Sequence, residues 1–256
     1  MESFDYHQAA ELLAWQVELG ATEAICDAPV NRYEVPASPP KASAKLGKGP
    51  QPLQAAETPD PVALARRAAQ GAQTLDELRA AIQGFEACEL HRGARNLVFC
   101  DGVPGAPLMI LGEAPDRDED RAGKPFVGRT GQMLDRMLAA IDMGRDRNVY
   151  LSNILPWRTP QGRDPKPDEI AMMRPFVQRH IELAKPKVLV LFGNWSCQSL
   201  LEKRSIMRLR GNWTKAADLS CMPLVHPGYL LRNPEAKREA WADLLALKAR
   251  LRGEVS

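Results

Sequence analysis

The sequence has no long hydrophobic run. Its longest apolar stretch is VLVLF, residues 188–192, whereas a membrane-spanning helix needs roughly 20 apolar residues. We therefore expect no membrane span. The amino terminus carries Glu2 and Asp5, where a secretory signal would place basic residues and then an apolar segment. We accordingly expect a cytoplasmic protein.

Cysteine is scarce, and no two cysteines form a C-x-x-C pair. The 256-residue chain contains five, at Cys26, Cys88, Cys100, Cys197 and Cys221. Such wide spacing matches neither a zinc knuckle nor a disulfide framework. We expect reduced, structural thiols and no metal site.

Basic residues are missing from the start of the chain. Residues 1–30 contain no Lys or Arg and six acids, although the whole chain has a formal charge of +2, so the remainder is basic. Asp5–Leu19 has the apolar spacing of an amphipathic helix within an acidic segment, residues 1–29. Residues 30–59, rich in Pro and Ala, predict a flexible linker. The helix is a candidate docking element for a partner protein.

Order is predicted to resume at residue 60 and to continue to residue 256 as one domain. Asp60 and Thr74 are candidate N-caps of two helices. From Cys88 onwards, short apolar runs alternate with helical segments, which is typical of an α/β domain. We predict a three-layer α/β/α fold, in which helices cover both faces of a central, mainly parallel sheet of four or five strands. The predicted strands are Leu97–Phe99, Leu108–Leu111, Val149–Asn153, Lys187–Phe192 and Met222–Val225.

Ligands of such sheets bind beyond the carboxyl ends of the strands. This rule selects four loops, which start at Gly112, Asn153, Gly193 and His226. The first loop, GEAPDRDEDRAGKPFVG, places five carboxylates within eight residues. NILPWRTP and HPGYLLR follow two later strands.

These three motifs, in this order, resemble those of the uracil-DNA glycosylase superfamily, nearest to its family-four type. The resemblance covers about residues 85–251. It implies a monofunctional glycosylase of base excision repair that flips uracil out of DNA and hydrolyses its N-glycosidic bond, leaving an abasic site. Other deaminated or damaged bases are further candidate substrates. Single- or double-stranded DNA is the implied partner, and we expect a monomer.

The resemblance assigns four residues to the base. Phe126 resembles the aromatic residue that stacks on it, and Gly112 and Ala114 belong to the motif that lines it. Asn153 carries an amide whose donor and acceptor match the O4 and N3–H edge of uracil. Without the family match, a core phenylalanine and a turn-capping asparagine would be the ordinary interpretations.

Three further residues are assigned to catalysis. His226 is placed to donate a hydrogen bond to uracil O2, where negative charge grows as the bond breaks. Glu113 is the first choice for orienting water or stabilising the sugar cation. Asp116 replaces a glycine usual in the family, and is a second candidate for handling the water. It also alters the position that screens out the thymine methyl group in related enzymes.

The motif HPGYLLR is expected to enter the minor groove. Its candidate DNA contacts are Tyr229, Leu230, Leu231 and Arg232, with core packing as the alternative for the apolar ones. Candidate phosphate contacts are Lys124, Arg129, Arg208, Arg210 and Arg232.

One family feature is missing. Family-four proteins hold a four-iron cluster with four cysteines, and only Cys88 occupies such a position here. Phe85, Trp157 and Met173 stand at the other three. Since one thiolate cannot hold the cluster, we predict no iron–sulfur centre and no cofactor. This divergence keeps two alternatives open: a protein that binds damage or abasic sites with little turnover, and an adaptor whose amino-terminal helix docks on a repair or replication protein.

Overall fold

The computed structural model describes residues 14–17 and 60–253. Residues 14–17 are helical and exposed. They belong to the predicted helix Asp5–Leu19, whose other residues lie outside the described ranges, as does the predicted linker at 30–59. In the described residues, no helix is both long enough and apolar enough to cross a membrane.

Residues 60–253 alternate helices and strands, beginning with three helices. The helices are α1 (Pro61–Gly71), α2 (Leu75–Gln83), α3 (Leu90–Gly93), α4 (Arg117–Ala122), α5 (Gly128–Ala139), α6 (Pro167–Ala184), α7 (Asn194–Leu201), α8 (Ile206–Leu209), α9 (Pro227–Arg232) and α10 (Lys237–Arg252). The strands are β1 (Asp101–Gly102), β2 (Leu108–Gly112), β3 (Val149–Asn153), β4 (Val188–Phe192), β5 (Thr214–Ala216) and β6 (Leu219–Leu224). Short 3₁₀ turns occupy Pro160–Gly162 and Pro234–Ala236.

The sheet has six strands in the order β1-β3-β2-β4-β6-β5. Its four central strands are parallel, and the two short edge strands, β1 and β5, are antiparallel to their neighbours. The predicted α/β class is confirmed, with one more strand than the upper count. Leu97–Phe99 was wrongly predicted to be a strand. The Val98 N–H bonds the Pro156 carbonyl at 2.8 Å, but ladder pairing starts only at Asp101.

Both faces of the sheet are buried, which explains the continuous apolar strands. Met109 and Leu111 of β2 belong to one core, and Leu108 and Ile110 to the other. The first core includes residues of α1, α2 and α6, and the second includes residues of α5 and α10. This alternation creates the predicted three layers.

The two predicted N-caps are present. The side chain of Asp60 accepts a hydrogen bond from the Val62 N–H at 3.0 Å, and that of Thr74 accepts one from the Glu77 N–H at 3.2 Å. Each cap satisfies a backbone donor that its helix leaves unpaired. The capped helices α1 and α2 both contact α6, so they complete the first helical layer.

Candidate active site

The carboxyl ends of the four parallel strands meet at one edge of the sheet. Gly112 ends β2 and is in register with Asn153, which ends β3. Gly193 directly follows β4, and His226 comes two residues after β6. The four predicted loops therefore begin side by side, because parallel strands run in the same direction.

Phe126 lies in the centre of this edge. It is 1% exposed and packs within the second core, and its ring centroid is 6.0 Å from those of both Phe192 and His226. Stacking on a base stays a prediction for this ring. A Cβ atom at Gly112 would lie 2.7 Å from Phe126 Cζ and 2.2 Å from Asn153 Oδ1. Only glycine leaves room at position 112 for the ring and the amide to come together.

Asn153 offers an unpaired donor. The residue is 7% exposed, and Nδ2 has no partner at hydrogen-bond geometry in the described part of the chain, although the amide lies close enough to the Glu119 carboxyl to lower the pKa of that group. Leaving a buried polar group unpaired costs about 1–3 kcal/mol. Such an amide suits a ligand that brings its own acceptor.

His226 presents a donor of defined tautomer. Its Nδ1 accepts a hydrogen bond from the Gly228 N–H at 3.2 Å, capping the start of α9. Burial, and then the positive charge of Arg232, lower the pKa of His226 to about 4. The ring is therefore neutral near pH 7, with its proton on Nε2.

Glu113 is held at the start of α7. Its Oε1 accepts a hydrogen bond from the Trp195 N–H at 2.8 Å. Burial raises the pKa of Glu113, while hydrogen bonds from the backbone of Trp195 and Asn194 lower it. Gly193 has φ +92°, and a Cβ there would lie 2.5 Å from Glu113 Cδ. The chain thus keeps a half-buried carboxylate at the same sheet edge.

Asp116 occupies a different place from the one expected. It is exposed and caps α4, since its Oδ1 accepts hydrogen bonds from the N–H groups of Asp118 at 2.8 Å and Glu119 at 2.9 Å. Glu119 Oε2 accepts in return from the Asp116 N–H at 2.7 Å, completing a capping box. The sequence did not predict this capping role, and we propose no catalytic step for Asp116. Ala114 is half-buried against the first core.

Two residues that contact the Phe126 backbone had not been assigned to the site. Buried Glu119 accepts a hydrogen bond from the Phe126 N–H, and Arg145 Nη2 donates to the Phe126 carbonyl at 2.8 Å. The sequence signals Glu119 only through the capping pattern D-x-x-E, in which the acid lies three residues after the cap. Arg145 has no local signal.

The motif HPGYLLR forms helix α9 rather than an open loop. Leu230 is 1% exposed and belongs to the second core, so its assignment as a DNA contact is corrected. The helical turn leaves Tyr229 and Leu231 half-buried and Arg232 exposed.

The candidate phosphate contacts also differ in their surroundings. Lys124 is exposed and lies 3.4 Å from Asp101, and Arg129 and Arg208 are exposed. Arg210 is instead bound to α10. Its Nε and Nη2 donate to the two oxygens of Asp243 at 2.9 and 2.7 Å. The prediction that Arg210 contacts phosphate is therefore corrected, because the structure places this residue in an ion pair with Asp243.

The residues at the family's cluster positions do not fit an iron–sulfur centre. Cys88, Phe85, Trp157 and Met173 are all buried in the first core. The Phe85 ring packs edge-on against Phe176, with centroids 5.2 Å apart. One thiol among apolar side chains cannot supply four iron ligands. Among residues 14–17 and 60–253, no group of three or more His, Cys, Asp or Glu side chains could hold a metal ion.

Comparison with known proteins agrees with this geometry. The model of the Uracil DNA glycosylase superfamily matches residues 99–245. A Type-4 uracil-DNA glycosylase of Archaeoglobus fulgidus is 34% identical over 182 residues, covering 67% of this chain and 90% of the relative. One of Thermotoga maritima is 34% identical over 175 residues, covering 66% and 90%. A DNA polymerase of Bacillus phage SP01 is 29% identical over 153 residues, 60% of this chain and 17% of the polymerase. The chain belongs to the uracil DNA glycosylase superfamily.

Proposed function

We propose that the protein is a monofunctional uracil-DNA glycosylase of base excision repair, which flips uracil out of DNA and hydrolyses its N-glycosidic bond. One observation carries the proposal: Phe126, Asn153 and His226 meet at one sheet edge, with an aromatic ring, an unpaired amide donor and a neutral imidazole donor. Relatives named Type-4 uracil-DNA glycosylase support it.

Recognition follows from the first two groups. A base outside the duplex loses stacking worth a few kcal/mol, and a ring such as that of Phe126 returns part of it. The Asn153 amide donates to uracil O4 through Nδ2 and accepts from N3–H through Oδ1. Cytosine presents the reversed pattern at that edge, so a fixed amide rejects it.

Bond cleavage uses His226 and Glu113. As the bond between N1 and C1′ breaks, its electron pair stays on the base, and Nε2–H of His226 stabilises the charge that reaches O2. Glu113 stabilises the cationic sugar and orients the water. The water oxygen then bonds to C1′, and its proton passes to the carboxylate or to solvent.

Contacts with DNA are proposed for the surface beside these loops. Leu231 and Tyr229 of α9 are the candidates to fill the gap left by the flipped base, and Arg232 to bind phosphate. Lys124 and Arg129 are further phosphate candidates. A cytoplasmic location, a monomeric state and a protein partner for the amino-terminal helix remain predictions.

An excision assay tests the function. Single- and double-stranded oligonucleotides with one uracil are incubated with the protein, treated with alkali and examined for strand scission. We expect scission at the uracil position. Asn153→Ala and His226→Ala should reduce base release by at least about 100-fold, with a much smaller change in DNA affinity. Binding of uracil-containing DNA without base release would instead support the alternative of a damage-binding protein.

The absence of a cluster is part of the proposal. Colourless purified protein, without iron or acid-labile sulfide, is the expected result. Iron and sulfide in about 4:4 stoichiometry per chain would contradict it.

A further inference from the structure

The backbone of Phe126 has an unusual conformation. Its φ is +52°, in the left-handed region, where a residue with a Cβ pays about 1–2 kcal/mol. Residues persist in such conformations only when their surroundings hold them there, and they are concentrated at functional sites. The contacts on either side of Phe126 therefore bear on where its ring points.

Glu119 contacts the amide side of this residue. The buried carboxylate accepts the Phe126 N–H with Oε1 and the Asp116 N–H with Oε2 at 2.7 Å. One side chain thus joins the start of α4 to the loop that carries the aromatic ring. Burial, with the nearby charge of Asp116, raises the pKa of Glu119 to about 7, so the group is largely ionised at pH 8.

Arg145 contacts the carbonyl side. Nη2 donates to the Phe126 carbonyl at 2.8 Å, and Nη1 donates to Asp101 Oδ2 at 2.8 Å. Its Nε also donates to Asp135 Oδ1 at 2.8 Å. Asp101 lies in the edge strand β1, and Asp135 lies in α5, the helix that follows Phe126. The guanidinium therefore links the Phe126 carbonyl to both elements.

The neighbouring glycines show how closely the residue is enclosed. A Cβ at Gly131 of α5 would lie 1.9 Å from the Phe126 carbonyl oxygen. A Cβ at Gly112 would lie 2.7 Å from the ring. If Phe126 relaxed to negative φ, its Cα–Cβ bond would change direction, and the ring would leave its place between Asn153 and His226.

We infer that Glu119 and Arg145 are positioning residues that hold Phe126 in the left-handed conformation from opposite sides, and so place its ring for stacking on the flipped base. Both residues are assigned a role through the Phe126 backbone and not a contact with the base. The inference rests on the proposed function, because it assigns the ring the role of stacking on the base.

Two substitutions weaken the contacts with little change of size. Arg145→Lys keeps a positive charge near Asp101 and Asp135 but cannot donate to three groups from one plane. Glu119→Gln replaces one acceptor oxygen with an NH₂ group. The control for Arg145→Lys is Arg147→Lys, since Arg147 lies 3.6 Å from Asp146. The control for Glu119→Gln is Asp118→Asn, since Asp118 is in the first turn of the same helix.

Each substitution is made in the parent and in a Phe126→Ala background, and single-turnover uracil excision is measured at pH 8. In the parent, each should slow excision by about tenfold, and in the Phe126→Ala background by less than about twofold, since no ring is left to position. The controls should stay within about twofold of the parent. An equal fold-loss in both backgrounds would overturn the inference.

A crystal structure of the Glu119→Gln, Arg145→Lys double variant gives an outcome independent of turnover, and Arg145→Lys alone serves if the double variant does not fold. Movement of Phe126 φ out of the positive region is expected, and retention near +52° would overturn the inference. If the parent chain releases no uracil, the proposed function fails, while the crystal structure still decides the positioning role.

Discussion

Gly112 shows how a single residue determines the geometry of the proposed base pocket. Its Cα lies where the Phe126 ring and the Asn153 amide approach each other, and a Cβ there would come within 2.7 Å of the ring and 2.2 Å of the amide oxygen. Asn153 ends strand β3, and Phe126 lies in the loop before α5. The absence of a Cβ at position 112 lets the two side chains face the same ligand.

Gly112→Ala should therefore damage both activity and stability. Displacement of the ring or the amide by about 1 Å is expected to slow single-turnover excision by about 100-fold. The overpacked core should lose about 1–3 kcal/mol of unfolding free energy, measured by urea denaturation. Gly71→Ala is the control, since a Cβ there meets no atom within 4 Å. Full activity of Gly112→Ala would contradict the proposed pocket.

His226 illustrates how a cap fixes a tautomer. With its pKa lowered to about 4, it stays neutral as the pH falls from 8 to 5 and gains a proton only nearer 4. We expect no change in excision rate from His226 over that range. The pH–rate profile is measured on Glu119→Gln, because the Glu119 carboxyl, with its pKa raised to about 7, is then absent. A fall in rate on acidification would be assigned to Glu113, because burial raises its pKa as well. A rise in rate on acidification to pH 5 would indicate that the imidazolium is the active form.

At the scale of elements, the short helix α4 depends on its cap. Asp116 satisfies two N–H groups of a six-residue helix, which is too short to be stable by itself. The acidic loop is thus partly structural. Asp116 and Glu119 form the capping box of α4, while Glu113 accepts a hydrogen bond from the start of α7.

Asp116→Ala separates capping from catalysis. We expect a loss of about 1 kcal/mol in unfolding free energy and uracil excision within about threefold of the parent. Denaturation and single-turnover assays on one preparation measure both. Excision that falls 100-fold with unchanged stability would restore Asp116 as a catalytic carboxylate.

In helix α9, two adjacent leucines are expected to have different roles: Leu230 stabilises the core, and Leu231 contacts DNA. Leu230→Ala should lower the unfolding free energy by about 2–5 kcal/mol, because the residue is in the core. Leu231→Ala should leave stability nearly unchanged and slow excision from double-stranded DNA by about tenfold, with a smaller effect on single strands. Identical behaviour of the two variants would show that neither side chain acts as the wedge.

At the scale of the whole molecule, the four residues predicted to stand at the cluster positions are buried in one apolar core. Trp157 and Met173 are buried with Phe85 and Cys88 in the core that also holds α1, α2 and α6. Buried apolar area supplies the cohesion there, at about 25 cal/mol per Å² removed from water.

The folded domain at 60–253 contains every residue assigned to the site. Removal of residues 1–59 should therefore leave uracil excision from oligonucleotides within about twofold of the full chain, as measured in single-turnover assays. A loss beyond tenfold would mean that the acidic segment contributes to catalysis or to DNA binding.

Much of the fold and the pocket could be predicted because their signals are local. The apolar runs of β2, β3, β4 and β6 and the amphipathic pattern of α5 and α6 indicate an α/β sheet. The strand ends then select the loops that carry Gly112, Asn153 and His226. The edge strands β1 and β5 have only two and three residues, too few for a periodic pattern.

The sequence by itself determined the α/β class and the order of the motifs, since these depend on residue identity and short spacing. Only the tertiary structure decided that Asp116 caps a helix, that Leu230 and Arg210 pack within the domain, and that Arg145 contacts the Phe126 carbonyl. Arg145 and Phe126 are 19 residues apart in the chain, and they meet because the segment after α5 returns to the loop that precedes this helix. Such long-range contacts arise from packing, which no local pattern specifies.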